Sequence, residues 1–424
     1  MNSVVSHSVR GWCPGALRPM ESGDGLIVRI RPRCGAISVS RLAAIAELAG
    51  RHGSGAVDFT RRANIQIRGI RAETLPDLWQ SLTDLDLLDE NAEVEAVRNV
   101  LVSPLAGLDP SEVVDARTLA SELEAMLAAV PALWRLPGKF GIVVDGGGRL
   151  TLDRERGDVR LKFVRNGGAF NVALGMDRPD GTAWLGSVRR ERCPSVASEA
   201  AQVFLAMRPD ARARMCDLTD DVFRELKARL EPRLGALPPL PFQDGSSRRL
   251  GIMSCDGTAI AVGLALPFGR ADAKDLLALA DVLTSHAIHE IRLSPWRAIY
   301  VPVNDNGTAH ALATVAARHG FMIEADDPLS HIDACPGAPG CRSTTLNTHE
   351  VARNVAPLLA EMGCHSCHVS GCAKGCARSA PADLVLVGIG EGFGVLRHST
   401  AQGHPSIVVP PARMSDVPHI LKRL

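Results

Sequence analysis

Six of the eleven cysteines fall between residues 335 and 376. Cys335 and Cys341 form Cys-x5-Cys in CPGAPGC, and Cys372 and Cys376 form Cys-x3-Cys in CAKGC. Glycine and proline at that density keep the backbone in loops. They also let amide N–H groups approach sulfur, which stabilises thiolate charge on a metal. Four thiolates are what a 4Fe–4S cluster takes. Structural zinc is the competing metal, but it favours closer-spaced pairs on ribbon knuckles, and Cys-x5-Cys fits that poorly. Cys364 and Cys367 complicate the set, because CHSCH (364–368) matches the covalent c-type haem pattern. That pattern is short and matches often by chance. Haem attachment follows export, and the opening MNSVVSHSVRGWCPG has no basic patch leading into an apolar core. Cys364 and Cys367 are therefore read as unligated, or as a minor alternative ligand pair. Six merely apolar, buried cysteines would be the bland explanation; Gly and Pro around four of them argue against it.

The cations are biased as well. Of 47 basic residues, 41 are Arg and six are Lys. A GC-rich genome produces that bias, and a polycarboxylate ligand would fit it too, since Arg makes planar, bidentate contacts to carboxylates. The 47 acidic residues bring the formal net charge to zero, and with no basic tail this argues against nucleic acid as a partner. No apolar run is long enough to span a membrane, so no membrane partner is expected. Without an export signal the expected compartment is the cytoplasm, where cysteines stay reduced and serve metals or catalysis rather than disulfides. GIGEGFG (388–394) departs from G-x-G-x-x-G and suits a β-hairpin, so it receives no cofactor role.

The elements that must position these residues follow a repeat. The Pro- and Gly-rich stretch 231–247 reads as a linker between two halves. Asp24-Gly25 opens LIVRI, and Asp256-Gly257 opens TAIAVGLAL. A helical face follows each: Leu42, Ile45, Ala46 and Ala49, with Ser38 or Ser40 as N-cap, and Leu276, Leu279, Ala280 and Leu283 after Asp272. Two strand-like runs come next, 56–60 with 65–70 and 290–294 with 298–303. Each half then gives a helix, at 75–85 and 308–319. The β-α-β-β-α order is ferredoxin-like. A larger segment completes each half. The first holds RNVLVSPLAG (98–107), a helix near 118–129, LPGKFGIVV (136–144) and strands near 160–164 and 170–174. The second holds the cysteines, a helix near 350–362 and DLVLVG (383–388). The organisation expected is an N-terminal segment 1–22, a ferredoxin-like unit 23–85, a larger domain 86–230, the linker, a second ferredoxin-like unit 248–325, and a second larger domain 326–424. Period-two alternation puts Arg62, Asn64 and Gln66 on one strand face. Arg68 is expected to be an exposed, solvated cation.

Cys-x5-Cys followed by Cys-x3-Cys resembles the cluster signature of the sirohaem sulfite and nitrite reductase superfamily. TRRANIQIRG (60–69), the Arg-Asn of RNVLVSPLAG and LPGKF (136–140) are similar to further landmarks of that superfamily, which together run from about Gly23 onward. The resemblance implies an α+β fold of two pseudo-symmetric halves, each a ferredoxin-like half-domain plus a larger reductase-like α/β segment. It implies that Cys335, Cys341, Cys372 and Cys376 hold a 4Fe–4S cluster, and in the reductases the cysteine at the position of Cys376 also bridges to sirohaem iron. Arg62, Arg98 and Lys139 match basic residues around the reductase substrate, while Trp296 stands where the second half would repeat Arg62.

Two departures bear on function. Gly138 and Gly141 replace larger polar residues that flank Lys139 in the reductases, and reduction of a small anion needs such groups. The opening CPGALRPMESGDGLIVRIRP (13–32) and the wording ANIQIRG instead resemble the precorrin-3B synthase family, the cobalamin-pathway branch of the superfamily. That resemblance implies a monooxygenase converting precorrin-3A to precorrin-3B by oxygen-dependent hydroxylation and γ-lactone formation. The tetrapyrrole would be substrate in an Arg-rich cleft, with dioxygen and an electron donor such as NADH or a reductase as partners. A mononuclear non-haem iron is expected beside the cluster. Two His and one carboxylate would be typical ligands, and 13 His leave them unassigned. The alternative is a sirohaem-dependent nitrite or sulfite reductase, marked by sirohaem's visible absorption. A non-catalytic Fe–S carrier is a third class, and it would need no positioned cations.

Overall fold

The computed structural model describes residues 13–241 and 250–421. The chain forms two compact units that do not follow chain order: one takes 13–20, 30–35 and 87–241, the other 21–29, 36–86 and 250–421. Both ferredoxin-like segments and the cysteine-bearing domain therefore belong to the same unit. The expected linker is partly structured. Glu231–Arg233 form a 3-10 turn, and Gly235 exchanges two backbone hydrogen bonds with Ser187 at 2.9 and 3.0 Å. Its residues 242–247, like residues 1–12 of the expected N-terminal segment, lie outside those described. Residues 13–20 are held rather than loose: Ala16 and Leu17 donate backbone N–H groups to the buried Glu95 carboxylate.

The two ferredoxin-like segments trade strands. One sheet runs Leu26–Ile30, Ile65–Ile70, Ala56–Phe59 and then Arg270–Asp272 from the second segment. The other runs Gly251–Cys255, Thr258–Ala265, Ala298–Pro302, Glu290–Leu293 and then Ala36–Ser38 from the first. Both exchanged strands pair antiparallel, Arg270 opposite Asp58 and Ala36 opposite Arg292. Each leads into a helix, Val39–His52 or Ala273–Ser285, and these bury the apolar faces expected from the sequence. Ser38 is the N-cap of the first, its hydroxyl accepting the Arg41 N–H at 3.2 Å. The strand–turn–strand corners also repeat. Thr60 Oγ1 accepts N–H groups of Arg62 and Asn64, and Ser294 Oγ accepts those of Trp296 and Ala298. Ala63 and Arg297 take the same left-handed backbone, φ 52° and 58°.

The larger domains share one sheet plan. Val100–Val102, Ile142–Asp145 and Val159–Asn166 run parallel, and Ala169–Arg178 and Gly181–Val188 then add antiparallel. Ile332–Ala334, Cys367–Ser370 and Ala382–Ile389 run parallel in turn, followed by antiparallel Gly392–Ser399 and Val408–Val409. GIGEGFG is the hairpin between two of these strands. Helix Thr348–Val355 is shorter than the run 350–362 predicts and tightens to 3-10 at Ala356–Leu358, because Pro357 lacks the N–H that would continue it. No helix among the described residues is long and apolar enough to cross a membrane.

Candidate functional site

Cys335 directly follows strand Ile332–Ala334, and Gly371-Cys372 directly follow its parallel neighbour Cys367–Ser370. Both loops thus leave from the carboxyl ends of adjacent parallel strands, where open α/β sheets bind ligands. The Gly371 N–H donates to Cys335 Sγ at 3.2 Å and the Ser343 N–H to Cys341 Sγ at 3.4 Å. Thr348 Oγ1 donates to the Cys335 carbonyl at 2.5 Å. A Cβ at residue 371 would lie 2.4 Å from Thr344 Cγ2, so any larger residue there would displace the Thr344 side chain.

Two of the four thiols, Cys372 and Cys376, respond to their neighbours. Burial pushes the Cys372 thiol up, as do Cys341 and Cys335, against the Lys374 N–H. Burial raises the Cys376 thiol too, with Cys372 and Cys335 next. Cys335 is buried and Cys376 is exposed. Among the described residues no three His, Cys, Asp or Glu side chains gather as a single metal ion needs. A four-iron cluster takes one thiolate at each corner and spreads its ligands farther apart. Four thiols on two loops that leave adjacent parallel strands, with amide donors on two of the sulfurs, fit that group.

Cys364 and Cys367 belong elsewhere. Both are buried in the apolar core with Ile332, Val369, Leu384 and Phe393. Burial drives the Cys367 thiol strongly upward.

Arg68 corrects the expectation of a solvated cation. It is 2% exposed and among the largest fully buried side chains. Its Nε and Nη2 bind the two carboxylate oxygens of Asp24 at 3.0 Å each, Nη1 lies 3.4 Å from Asp58, and Nη2 donates to the Gly340 carbonyl at 2.7 Å. Ser22 Oγ donates to the same carbonyl at 2.6 Å. A buried guanidinium on the first segment thereby ties down the loop between Cys335 and Cys341. Alternation carries Asn64 and Gln66 on to Arg68, and that signal could have found it.

The strand-face expectation for Arg62 fails at one point. The strand begins at Ile65, and Arg62 sits half-buried in the turn before it. The left-handed Ala63 breaks the alternation between Arg62 and Asn64. Asn64 and Gln66 are both buried, and Gln66 accepts from Arg29 at 2.6 and 3.0 Å.

In the other unit Arg98 is 5% exposed and committed internally. It binds Asp89 at 2.8 Å, lies 3.5 Å from Glu124, and donates to the Arg31 carbonyl at 2.8 Å. It is a tie inside the fold rather than a surface for a ligand. Its neighbour Asn99 donates to the Ala96 carbonyl at 2.9 Å and reaches the Gly138 carbonyl at 3.5 Å, next to the exposed Lys139. Among the described residues a Cβ added at Gly138 would meet only Cys13, at 3.7 Å. Gly141 is buried, its N–H bound to Asp158 at 2.9 Å.

Where the second sheet carries thiols, the first carries carboxylates. The loop after Val100–Val102 holds Asp109 and Glu112, and Asp145 ends strand Ile142–Asp145; all three are buried. Glu112 accepts the Gly107 N–H at 2.7 Å. Burial pushes its carboxyl up to about 7, helped by Asp115, Asp109 and Asp145.

The chain matches the nitrite/sulfite reductase ferredoxin-like half domain twice, at residues 18–85 and 255–320. Those are the strand-exchanging segments. It matches the nitrite and sulphite reductase 4Fe-4S domain at 93–236. That match falls on the carboxylate-bearing copy of the sheet, and the four cysteines lie in the other. Precorrin-3B synthase from a Sinorhizobium species is 32% identical over 416 residues, 95% of this chain and 86% of that protein. Ferredoxin–nitrite reductase from Leptolyngbya laminosa is 25% identical over 416 residues, 90% of this chain and 80% of that protein. The solved NirA protein of Mycobacterium tuberculosis has the same fold, with a TM-score of 0.76 and 22% identity over 94% of this chain and 80% of its own.

Proposed function

The chain belongs to the nitrite and sulfite reductase family, on its precorrin-3B synthase branch, and from that premise we propose that it converts precorrin-3A to precorrin-3B in aerobic cobalamin biosynthesis. One atom of dioxygen enters the product at the C20 meso position and the other leaves as water. A donor such as NADH or a reductase supplies the two electrons and two protons this requires, and an acetate group on ring A closes the γ-lactone. The observation that carries the reading is the four-thiol loop pair, in a chain alike almost end to end with a precorrin-3B synthase.

A 4Fe–4S cluster on Cys335, Cys341, Cys372 and Cys376 would supply electrons singly. The chain's own cations bind and orient. Arg62 and Lys139 hold substrate carboxylates or a developing oxyanion. Arg98 acts through its partners, fixing the segment whose Asn99 reaches the Gly138 carbonyl. The test is turnover of precorrin-3A under labelled dioxygen with mass spectrometry of the product. One labelled atom per product, and no turnover without oxygen or reductant, is the expected result. An unlabelled product refutes the reading. Sirohaem-dependent nitrite or sulfite reduction is the second reading. Stoichiometric sirohaem absorption in purified protein, with reduction of either anion, would establish it.

A further inference from the structure

Helix Ala92–Val97 buries a carboxylate as deeply as its valines: Glu95 is 3% exposed, beside Val94 at 5% and Val97 at 3%. A buried carboxylate is costly unless hydrogen bonds meet its oxygens. The main chain of residues 15–18 meets them. The Gly15 N–H closes a turn on the Arg18 carbonyl at 3.0 Å. The next two N–H groups donate to Glu95, Ala16 to Oε1 and Leu17 to Oε2, the latter at 3.0 Å. Consecutive N–H groups in such a turn make a concave seat for an anion. The seat is tight, because a Cβ on Gly15 would lie 2.6 Å from Glu95 Oε2. Burial pushes the Glu95 carboxyl upward, and the two N–H groups and Arg31 oppose that.

Two routes lead from Glu95 to the loop that carries Lys139. The first is the seated segment itself. Cys13, two residues before Gly15, brings its backbone N to 3.7 Å from a Cβ built on Gly138. The second runs through Arg31, whose Nε lies 3.9 Å from Glu95 Oε1 and whose Nη1 donates to Asn99 Oδ1. Asn99 reaches the Gly138 carbonyl at 3.5 Å. Gly138 is thus held at two points, and Lys139 follows it directly. Without such contacts a glycine backbone is the freest in the chain. All of these residues belong to one unit.

We propose that Glu95 is a positioning residue for Lys139: by seating residues 15–17 and aligning Arg31 with Asn99, it fixes the Gly138-Lys139 corner to receive a substrate carboxylate. The inference rests on the functional reading above, in which Lys139 holds such a carboxylate, and it adds the residue through which that cation is set.

Two variants attack the contact from its two partners. Glu95→Gln keeps one acceptor oxygen and turns an NH2 toward the other N–H. Gly15→Ala leaves Glu95 in place and drives a methyl group into its carboxylate. In each, alkylation of the partly exposed Cys13 by iodoacetamide, read by peptide mass, should quicken severalfold as the segment is released. With precorrin-3A, dioxygen and reductant, KM should rise by about tenfold and kcat change far less, the pattern of one lost charge-assisted binding contact. Glu95→Asp, which keeps both acceptor oxygens, should recover part of that loss. Lys139→Gln raises KM by itself, and adding either variant to it should raise KM little further, since residues that act through one contact are not additive. Faster alkylation with unchanged KM, or full additivity with Lys139→Gln, makes Glu95 a strut of the fold and overturns the inference while the functional reading stands. Unchanged alkylation together with unchanged KM overturns it as well. If Glu95→Gln fails to fold, Gly15→Ala decides by the same readouts. No turnover of precorrin-3A by the unmodified protein overturns the inference together with the reading behind it.

Discussion

The Gly340 carbonyl receives donors from Ser22 and Arg68, and Arg68 is held in turn by Asp24 and Asp58. Ser22, Asp24, Asp58 and Arg68 lie outside the cysteine motifs, yet together they set the loop between Cys335 and Cys341. Cysteine spacing alone identifies thiols, and it is blind to a clamp built from residues more than 270 positions away. Substituting any of Cys335, Cys341, Cys372 and Cys376 by Ser should strip or destabilise the cluster. Cys364→Ser and Cys367→Ser should spare it, at a cost in stability from a hydroxyl in the apolar core. Iron and sulfide analysis of the six variants decides, and full cluster content in Cys372→Ser would remove that residue from the set. Glu112 gives a pH-dependent counterpart. Its carboxyl is raised from 4.5 to about 7 in the fold, so the folded form keeps a proton that the unfolded form releases. Stability therefore falls as pH rises through that window, by up to about 3 kcal/mol, and the cost is complete above it. Glu112→Gln should flatten this slope, as read from urea midpoints at acidic and alkaline pH. A parallel slope in both proteins would show that Glu112 does not carry it.

Elements were legible where their pattern is local. Helix Val39–His52 buries Leu42, Ile45, Ala46 and Ala49, as their spacing predicts, and Ser38 is its cap. Asp272 occupies the matching place before Ala273–Ser285, but its side chain makes no capping hydrogen bond. Ser38→Ala should accordingly cost about 1 kcal/mol of unfolding free energy and Asp272→Ala distinctly less. Equal losses in chemical denaturation would mean that both caps act alike. What alternation could not show is the corner at Ala63. A single left-handed residue between Arg62 and Asn64 carries Arg62 off the strand face. Sequence period assumes extended backbone throughout, and one turn residue cancels it.

At the scale of the molecule, the internal repeat was readable in the sequence because order and spacing recur together. The strand exchange was not, because a three-residue strand such as Ala36–Ser38 carries no signal of its partner. The exchange has a consequence for the nascent chain. Asp58 waits for Arg270, 212 residues later, before its strand gains its outer neighbour. At about 5–20 residues per second of synthesis, that edge stays open for roughly 10–40 seconds. Throughout that interval an unpaired row of backbone donors and acceptors is offered to any other strand nearby. Ala36–Ser38, meanwhile, has emerged long before Glu290–Leu293 exists to receive it. Crowding of ribosomes on one message would place several such open edges side by side, so the yield of folded protein in a cell is set by translation density and chaperone cover as much as by the stability of the finished fold.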